Sequence, residues 1–427
     1  MKRWHWAVVA LLVGIGVIGW LGYPLLASVN PPIRVGILHS LTGTLALTEL
    51  SMRDGSVLAL EQINASGGLL GRKVEWVVAD GKSEPETFAR EARRLIEDEK
   101  VSVIFGCWSS ANRKSVKPVV ERAEHLLFYP AAYEGLEQSR NIIYTGAAPN
   151  QQIIPTVKWS FDELKAKRYF LVGSDTVWPR SANAIIKDQL KALGATLVGE
   201  EYYSPGTADV GGAVRKIVAA SPDVVLSTVE GDTNLPFYKE LRASGIVPSK
   251  IPVITFSLAE DEFRSLTDAK LAGDYAVCNY FQVIDRPINT KFVNDFKARY
   301  GKDRVTSDAI ATAYTSVKLW AQAVREAETS DPRLLQDHLL TQSQNAPEGV
   351  VSIDRQTRHT WRPFFVGRIR PDGQVEIVWT VDKPIRPAPF PISRPRHDWE
   401  SFLEELQAGW NGKWEAPPPI RGLRPAA

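Results

Sequence analysis

Short apolar runs alternate with amphipathic segments along most of this sequence, and this pattern constrains the fold more than any other feature. Ile33 to Leu38 is typical of a buried strand, and Leu50 to Ser66 has apolar residues at helical spacing before the pattern stops at Gly67. Parallel strands need crossover connections, which helices provide. The sequence therefore predicts an α/β protein in which helices cover both faces of parallel sheets.

The alternation falls into two series, which predicts two lobes. Gly146 to Pro149 interrupts the pattern, as expected of a segment that crosses between lobes. The 427 residues have room for two or three domains of about 100 to 200 residues each. We predict two doubly wound, Rossmann-like lobes joined by a hinge with several crossings. Lobe one comprises residues 31–147 and 282–345, and lobe two comprises residues 148–281 and 346–382.

The C-terminal part of the chain departs from this alternation. Val350 to Ile353, Phe364 to Ile369 and Val375 to Thr380 indicate antiparallel strands, with a Pro-Asp-Gly turn at residues 371–373. We expect these strands to complete lobe two. Residues 383–427 are rich in proline, and we expect an extension that either wraps the surface or links outward.

The N-terminus indicates export. Lys2 and Arg3 precede an uncharged apolar stretch from Trp6 to Val29. Residues 1–30 fit a signal peptide cleaved after Ala27, and they equally fit a retained anchor, because such a stretch is long enough to span a bilayer. Both alternatives predict a periplasmic or extracytoplasmic protein, either soluble after cleavage or tethered through residues 6–29.

The charge of the chain indicates the kind of partner, and its two cysteines indicate separate thiols. Without Lys2 and Arg3, the chain has 49 basic and 49 acidic residues, and they are evenly scattered. Recognition of nucleic acid needs a clustered basic surface, so the sequence favours a small neutral partner and no nucleic acid. Cys107 and Cys278 fall near the ends of different strands, and we expect two separate, buried thiols.

The loops at the carboxyl ends of the strands are the predicted binding region, because open α/β folds bind ligands there. Ser109, Ser110 and Asn112 follow the third strand and begin a helix. Their hydroxyl and backbone N–H groups fit contact with a ligand oxygen. Capping of the helix explains the same residues.

Four aromatic residues also fall in these loops, namely Trp108, Tyr129, Tyr133 and Trp178. Aromatic walls exclude water, and tyrosine hydroxyls orient a ligand. Each ring also fits the packing of a loop against its own lobe. Their shared placement favours a cleft role for the group.

Polar residues in the corresponding loops of lobe two are further candidates. Asp232 and Asn234 follow the strand that ends at Thr228 and come just before a helix. Asp232 fits a role as acceptor of a ligand's N–H groups, and equally a role as helix cap. Glu260 and Asp261 are weaker candidates, with solvated or capping roles expected.

The sequence has no motif for catalysis, a cofactor or a metal. It contains no G-x-S-x-G elbow, P-loop or H-E-x-x-H, and no metal-ligand spacing. A G-x-G-x-x-G match at residues 14–19 lies inside the apolar N-terminal stretch, whereas a dinucleotide site needs it between a strand and a helix. His39 is the single histidine beside the cleft loops and has no activating partner. We therefore predict a binding protein without catalytic residues, cofactors or metal ligands.

Several of these loops, taken together, resemble one known family. The chain resembles the type I periplasmic substrate-binding proteins, in the urea and short-chain amide branch of the receptors for branched-chain amino acid ABC transporters. The resemblance covers about residues 33 to 381. The segments that carry it are GILHSLTG from Gly36, GCWSSANRKSVKP from Gly106, FYPAAYEG from Phe128, NIIYTGAAPNQQIIP from Asn141, GSDTVWPR from Gly173 and EGDTN from Glu230.

The resemblance implies roles for single residues. Ser110 and Tyr129 would contact the polar atoms of the ligand, and Trp108 would form a wall of the pocket. Asp232 would accept N–H bonds from the opposite lobe, and Ser109 would be a contact of second rank.

Three positions depart from the family pattern. Thr176 stands where this branch usually has tyrosine, Trp178 replaces another aromatic residue, and Ala131 stands where a side chain such as threonine contributes. Loss of the tyrosine opens volume that Trp178 partly refills. A larger amide or another small polar solute is therefore an alternative to urea.

The resemblance implies an exported receptor that closes around urea or a short amide and hands it to an ABC permease. A membrane-tethered sensor that signals on closure is one alternative. An amide-hydrolysing enzyme is another, although the sequence offers no activated nucleophile for it.

Overall fold

The computed structural model describes residues 31–264, 266 and 269–417. The predicted signal peptide or anchor, residues 1–30, lies outside these residues. In the described part of the chain, no helix combines the length and the apolar character needed to cross a membrane.

The first series of elements builds the sheet of lobe one. The elements are β1 (Ile33–His39), α1 (Ala46–Ala65), β2 (Val74–Asp80), α2 (Pro85–Glu97), β3 (Ile104–Gly106), α3 (Ser110–Arg122), β4 (Leu127–Tyr129) and β5 (Ile142–Tyr144). The five strands lie in the order β2-β1-β3-β4-β5, and every neighbouring pair is parallel. Strand β1 is almost entirely buried, because strands flank it and helices cover both faces of the sheet.

The second series builds lobe two. A short 3₁₀ turn (Pro149–Gln151) leads into α4 (Ile153–Asp162), β6 (Arg168–Ser174), α5 (Val177–Leu193), β7 (Thr196–Tyr203), α6 (Gly211–Ala220) and β8 (Val224–Thr228). A second 3₁₀ turn (Gly231–Thr233) then precedes α7 (Asn234–Ala243), β9 (Val253–Thr255), α8 (Glu260–Phe263) and β10 (Tyr275–Cys278).

The chain then returns to lobe one through α9 (Pro287–Tyr300), α10 (Asp308–Ala327), α11 (Gln336–Leu339), β11 (Ser343–Ala346), β12 (Gly349–Ile353) and β13 (Thr360–Trp361). Helix α10 packs along α1, and its Val317 and Trp320 share a core with the lobe-one sheet. Strands β11 to β13 form a small antiparallel sheet. The sequence suggested that residues 346–382 all complete lobe two. Strand β12 belongs to lobe one instead, because Val351 and Ile353 are buried in that same core.

The last described elements are β14 (Phe365–Ile369), β15 (Val375–Thr380) and α12 (Arg396–Gly409). The sheet of lobe two has the order β15-β14-β10-β9-β8-β6-β7. Its first two strands are antiparallel to their neighbours, as predicted, and the others are parallel. The predicted fold of two α/β lobes is confirmed.

One side chain links three segments that connect the lobes. The chain passes between the lobes after β5, after β10 and before β14. Asn279, just after β10, donates its Nδ2 hydrogens to the backbone carbonyls of Gln151 at 3.1 Å and Pro363 at 2.6 Å. Because Asn279 is buried, these bonds hold the three crossings together.

Residues 383–417, the described part of the C-terminal extension, wrap both lobes, which was one of the two predicted arrangements. The backbone N–H of Leu136 in lobe one donates to the carbonyl of Pro389. Arg394 pairs with Asp188 of α5 in lobe two at 2.8 Å. After α12, the backbone carbonyl of Trp414 accepts a hydrogen bond from the backbone N–H of Val177 in α5 at 3.0 Å. The extension therefore forms a strap across the side of the molecule.

Candidate functional site

A cavity lies between the lobes, at the carboxyl ends of the strands of both sheets. Its volume is about 50 Å³, which is room for a few water molecules or a ligand of similar size. Loops from both lobes form its walls, as expected for a ligand site in open α/β sheets. Its lining residues are Thr48, Trp108, Ser110, Pro130, Ala131, Ala132, Gln152, Trp178, Glu230, Phe256, Ser257, Leu258, Ala259, Asp261, Glu262, Cys278, Asp308 and Ala309.

Four of the predicted residues line this cavity, namely Trp108, Ser110, Ala131 and Trp178. The Trp178 side chain is buried, with 5% of the residue exposed. Its indole Nε1 has no hydrogen-bond partner among the described residues. A buried N–H group without a partner costs free energy.

The two serines at the start of α3 have different partners. Ser109 Oγ accepts a hydrogen bond from the backbone N–H of Asn112 at 3.1 Å, which is a helix cap. Ser110 Oγ donates to the Glu134 carboxylate and accepts from Nη1 of Arg113 at 2.8 Å. Ser109 therefore caps the helix and does not line the cavity, and the Ser110 hydroxyl is held by a buried ion pair behind the wall.

Tyr129 and Tyr133 lie behind the cavity wall and do not line it. The Tyr129 hydroxyl donates to the backbone carbonyl of Trp108 at 2.7 Å, and the Tyr133 hydroxyl bonds with Nε2 of His359. The Arg113 guanidinium lies 4.7 Å from the centre of the Tyr129 ring and 4.4 Å from that of Tyr133. Burial raises the pKa of both hydroxyls, so they stay neutral. The tyrosines thus position Trp108 and Arg113.

Three predicted residues of lobe two lie outside the interlobe cavity. Thr176 donates its hydroxyl to the Glu230 carboxyl group at 2.6 Å and so supports a residue that does line it. Asp232 is exposed, and Asn234 donates its side-chain N–H to the backbone carbonyl of Val229 at 3.0 Å. Asp232 and Asn234 instead line a neighbouring surface cavity.

Four carboxyl groups line the cavity, and only Asp261 among them was a candidate from the sequence, as a weak one. They are Glu230, Asp261, Glu262 and Asp308. Burial raises the pKa of Glu230 to about 7 and that of Glu262 to about 8, and it also raises the pKa of Asp261 and Asp308. Asp261, for which a solvated or capping role was expected, lies in the first turn of α8, is partly exposed and also lines the cavity. Glu230 follows β8 almost directly, so its strand-end position was the available signal, whereas Asp308 begins a distant helix and carried none.

Residues 33–396 match the sequence profile described as periplasmic binding protein domain. The chain belongs to this family of periplasmic binding proteins. The Leu/Ile/Val-binding protein homolog 8 of Brucella abortus (strain 2308) is 26% identical over 317 residues, which are 70% of this chain and 78% of that protein. A limonene hydroxylase of Geobacillus stearothermophilus is 32% identical over 119 residues, but these are 28% of this chain and 22% of that protein. This chain therefore matches less than a quarter of the hydroxylase.

Solved structures share the fold of this periplasmic binding protein. A solute-binding protein of an ABC transporter from Rhodopseudomonas palustris HaA2, in complex with p-hydroxybenzoic acid, has a TM-score of 0.76 at 22% identity, covering 83% of this chain and 98% of that one. A branched-chain amino acid transporter substrate-binding protein from Streptococcus pneumoniae, in complex with isoleucine, has a TM-score of 0.74 at 23% identity, covering 83% of this chain and all of the other. At these identities the likeness shows the fold.

Two buried ion-pair networks support the cavity of this periplasmic binding protein. In lobe one, Arg113 pairs with Glu134 at 2.9 Å and with Glu137 at 3.1 Å, and Lys114 also pairs with Glu137. These ionic groups are almost fully buried, so each charge needs its partner. The cations behind the lobe-one wall are thereby satisfied by their own carboxylates.

A second network lies where α10 begins. Arg362 pairs with Glu348 at 2.8 Å and with the cavity-lining Asp308 at 3.2 Å. One guanidinium is thus shared by two carboxyl groups. Across the cleft, Thr48 of α1 donates its hydroxyl to Glu262 of lobe two at 2.5 Å, which joins the lobes directly.

The remaining reactive side chains near the cavity are held neutral or paired. His39 Nδ1 hydrogen-bonds Glu49 at 2.9 Å in a fully buried site and does not line the cavity. Cys107 and Cys278 are both free and buried, which confirms the prediction of two separate thiols. Cys278 lines the cavity, but burial raises its pKa, and a protonated thiol is a poor nucleophile. Among the described residues, no cluster of histidine, cysteine or acidic side chains is arranged to hold a metal ion.

Proposed function

We propose that this periplasmic binding protein is an extracytoplasmic receptor that closes around urea or a short-chain amide and delivers it to an ABC permease. One observation carries the proposal: a small cavity, lined from both lobes, combines several carboxyl groups with one unpaired, buried N–H donor. This set of groups complements a molecule with one carbonyl oxygen and several N–H groups.

The match can be followed atom by atom. Trp178 Nε1–H would donate to the ligand carbonyl, because it has no partner within the described part of the protein. Carboxyl oxygens of Glu230 in lobe two and Asp308 in lobe one would accept the ligand's N–H groups. A ligand held from both sides stabilises the closed arrangement of the lobes relative to the open one. This differential contact is what a hinge-closing receptor requires.

The relatives support the receptor role and contrast in their ligands. The two structural relatives are described as a solute-binding protein of an ABC transporter and a transporter substrate-binding protein. Their ligands, p-hydroxybenzoic acid and isoleucine, each carry a carboxylate. Among the described lining residues of the present cavity there are four carboxyl-bearing side chains and no lysine, arginine or histidine to pair with such a group. The cavity therefore favours a ligand without an anionic group.

Calorimetric titration of the purified protein tests the proposal. The panel contains urea, acetamide, isoleucine and p-hydroxybenzoate, and we expect one-to-one binding of urea or acetamide only. Trp178→Phe keeps most of the ring but removes the donor. It should weaken binding by about 1 to 3 kcal/mol, or about 5- to 150-fold.

Trp76→Phe is the matched control, because Trp76 lies on β2 and outside the cavity lining. It should leave the affinity unchanged. Binding of isoleucine or p-hydroxybenzoate in preference to the amides would refute the proposed ligand class. Equal effects of the two tryptophan substitutions would refute the role of Trp178.

A further inference from the structure

The described lining of the cavity is acidic, and no basic side chain balances it. Of its lining residues, Glu230, Asp261, Glu262 and Asp308 are ionisable acids, and none of the described lining residues is lysine, arginine or histidine. A neutral ligand needs acceptors but does not need four acids. This excess of acidic groups therefore indicates a positively charged partner.

The cations nearest to these acids are already engaged. Arg362 is shared by Asp308 and Glu348. Arg304, the cation that acts on Asp261, forms its own ion pair with Asp54 at 3.0 Å. Their positive charge is therefore divided between two carboxyl groups in each case.

Two of the acids receive only neutral hydrogen-bond donors. Glu230 accepts from the hydroxyl of Thr176, and Glu262 accepts from the hydroxyl of Thr48 and the backbone N–H of Ala259. A carboxylate buried without a cation is costly. These two groups can therefore gain most from a positive charge placed in the cavity.

The aromatic walls suit the same partner. Trp178 and Trp108 both line the cavity. The face of a tryptophan ring attracts a guanidinium or ammonium group. A flat cation can thus contact a ring face while its N–H groups reach carboxylates at its edge.

We propose that the cavity prefers a planar, N–H-rich cation, an amidinium or guanidinium group, over the neutral urea or amide of the same size and shape. This inference rests on the proposed function, because it takes the interlobe cavity as the ligand site, and it specifies the ligand's charge. Hydrogen bonds between a cation and a carboxylate are shorter and about twice as strong as neutral ones. A cation also supplies the positive counter-charge that the buried acids lack.

Proton release accompanies this binding. Burial raises the pKa of Glu230 to about 7 and that of Glu262 to about 8, so near neutral pH Glu262 is mostly protonated and Glu230 is partly protonated in the empty cavity. Thr176 donates a hydrogen bond to Glu230, and Thr48 donates one to Glu262. The charged groups that act on the two acids are themselves acidic: Glu134 and Glu415 act on Glu230, and Asp261 acts on Glu262. A bound cation would lower these pKa values and expel protons, whereas urea would not.

The test compares isosteres by calorimetry at pH 7, with urea against guanidinium chloride and acetamide against acetamidine hydrochloride. We expect each cation to bind at least tenfold more tightly than its neutral partner. Repeating the titrations in two buffers of different ionisation enthalpy should reveal proton release with the cations alone.

Charge-removing variants give the second readout. Glu230→Gln keeps an acceptor oxygen but no charge, so it should weaken guanidinium binding at least tenfold more than it weakens urea binding. Asp261→Asn provides an independent variant should the first fold poorly. Glu376 is an exposed acid on β15, and Glu376→Gln should change the binding of neither guanidinium nor urea.

The outcomes separate the two proposals. Urea binding as tightly as guanidinium, or Glu230→Gln weakening both equally, would overturn the preference for a cation and leave the amide receptor standing. Failure of all four isosteres to bind would overturn both.

Discussion

Removal of the Arg113 guanidinium should show how strongly the lobe-one wall of the cavity depends on its buried ion pairs. The side chain is fully buried and donates to Ser110, Glu134 and Glu137, while the rings of Tyr129 and Tyr133 both contact it. Arg113→Met leaves Glu134 without a cation, whereas Glu137 keeps Lys114 at 3.1 Å. Breaking a buried pair on one side costs about 3 to 5 kcal/mol.

Thermal unfolding followed by circular dichroism measures this loss, since urea and guanidinium are candidate ligands and unsuitable denaturants. At about 2 to 4 °C per kcal/mol for a domain of this size, the melting temperature should fall by about 6 to 20 °C. The double variant Arg113→Met/Glu134→Gln removes the stranded charge as well. It should therefore be more stable than the sum of the two single effects predicts, by about 0.5 to 3 kcal/mol.

Arg333→Met is the control, because Arg333 is exposed and pairs with Asp331 on the surface. It should melt like the unmodified protein. A melting temperature for Arg113→Met within 2 °C of that control, or strictly additive effects in the double variant, would refute the reasoning. The 2 °C limit is the approximate shift for 1 kcal/mol or less.

Three further predictions concern pH, thiols and the strap. Because the folded pKa of Glu230 is raised to about 7, its contribution to stability is full below about pH 4.5 and is lost as pH rises through 7. Between pH 5 and 8, the melting temperature of the unmodified protein should therefore fall further than that of Glu230→Gln, and parallel curves would contradict this. Cys107 and Cys278 should not react with a thiol reagent such as Ellman's until the protein unfolds, when both react; fast labelling of the native protein would contradict their burial. Trp399→Ala removes a fully buried ring whose Nε1 donates to the Pro391 carbonyl at 2.9 Å and which packs under Arg394, so the strap should lose about 3 to 5 kcal/mol of local stability. Limited proteolysis should then cut after residue 383 much faster, with Ile392→Ala, on an exposed side chain, as the unaffected control.

The division into two lobes could be predicted because it depends on local periodicity. A strand such as β1 and a helix such as α1 are visible in a window of a few residues, and their strict alternation forces parallel pairing. The assignment of β12 failed for the opposite reason. Nothing local tells Val351 and Ile353 which of two apolar cores they enter, and only the return of α10 to lobe one decides it.

At the candidate site, the residues that follow strand ends could be predicted from the sequence, but the directions of single side chains could not. Trp108, Ala131 and Trp178 could be placed at the cavity, because each closely follows a strand end and strand ends gather at one edge of a sheet. Tyr129 ends β4 and Tyr133 lies in the loop that follows, yet both rings turn inward to contact Arg113. That orientation follows from a buried charge contributed by a helix.

By itself, the sequence determined the two α/β lobes, the wrapping or linking extension and the loops that meet at the cleft. The tertiary structure alone decided which side chains of those loops face the ligand space, and the 230–232 turn shows why. Gly231 has a φ of 61° and lies against the carbonyl of Thr44, so close that an added Cβ would be 2.7 Å from that oxygen. This left-handed turn separates Glu230, buried at the cavity, from Asp232, exposed to solvent. Two acids two residues apart thus acquire opposite roles, because the packing of one lobe against the other fixes the direction of each side chain.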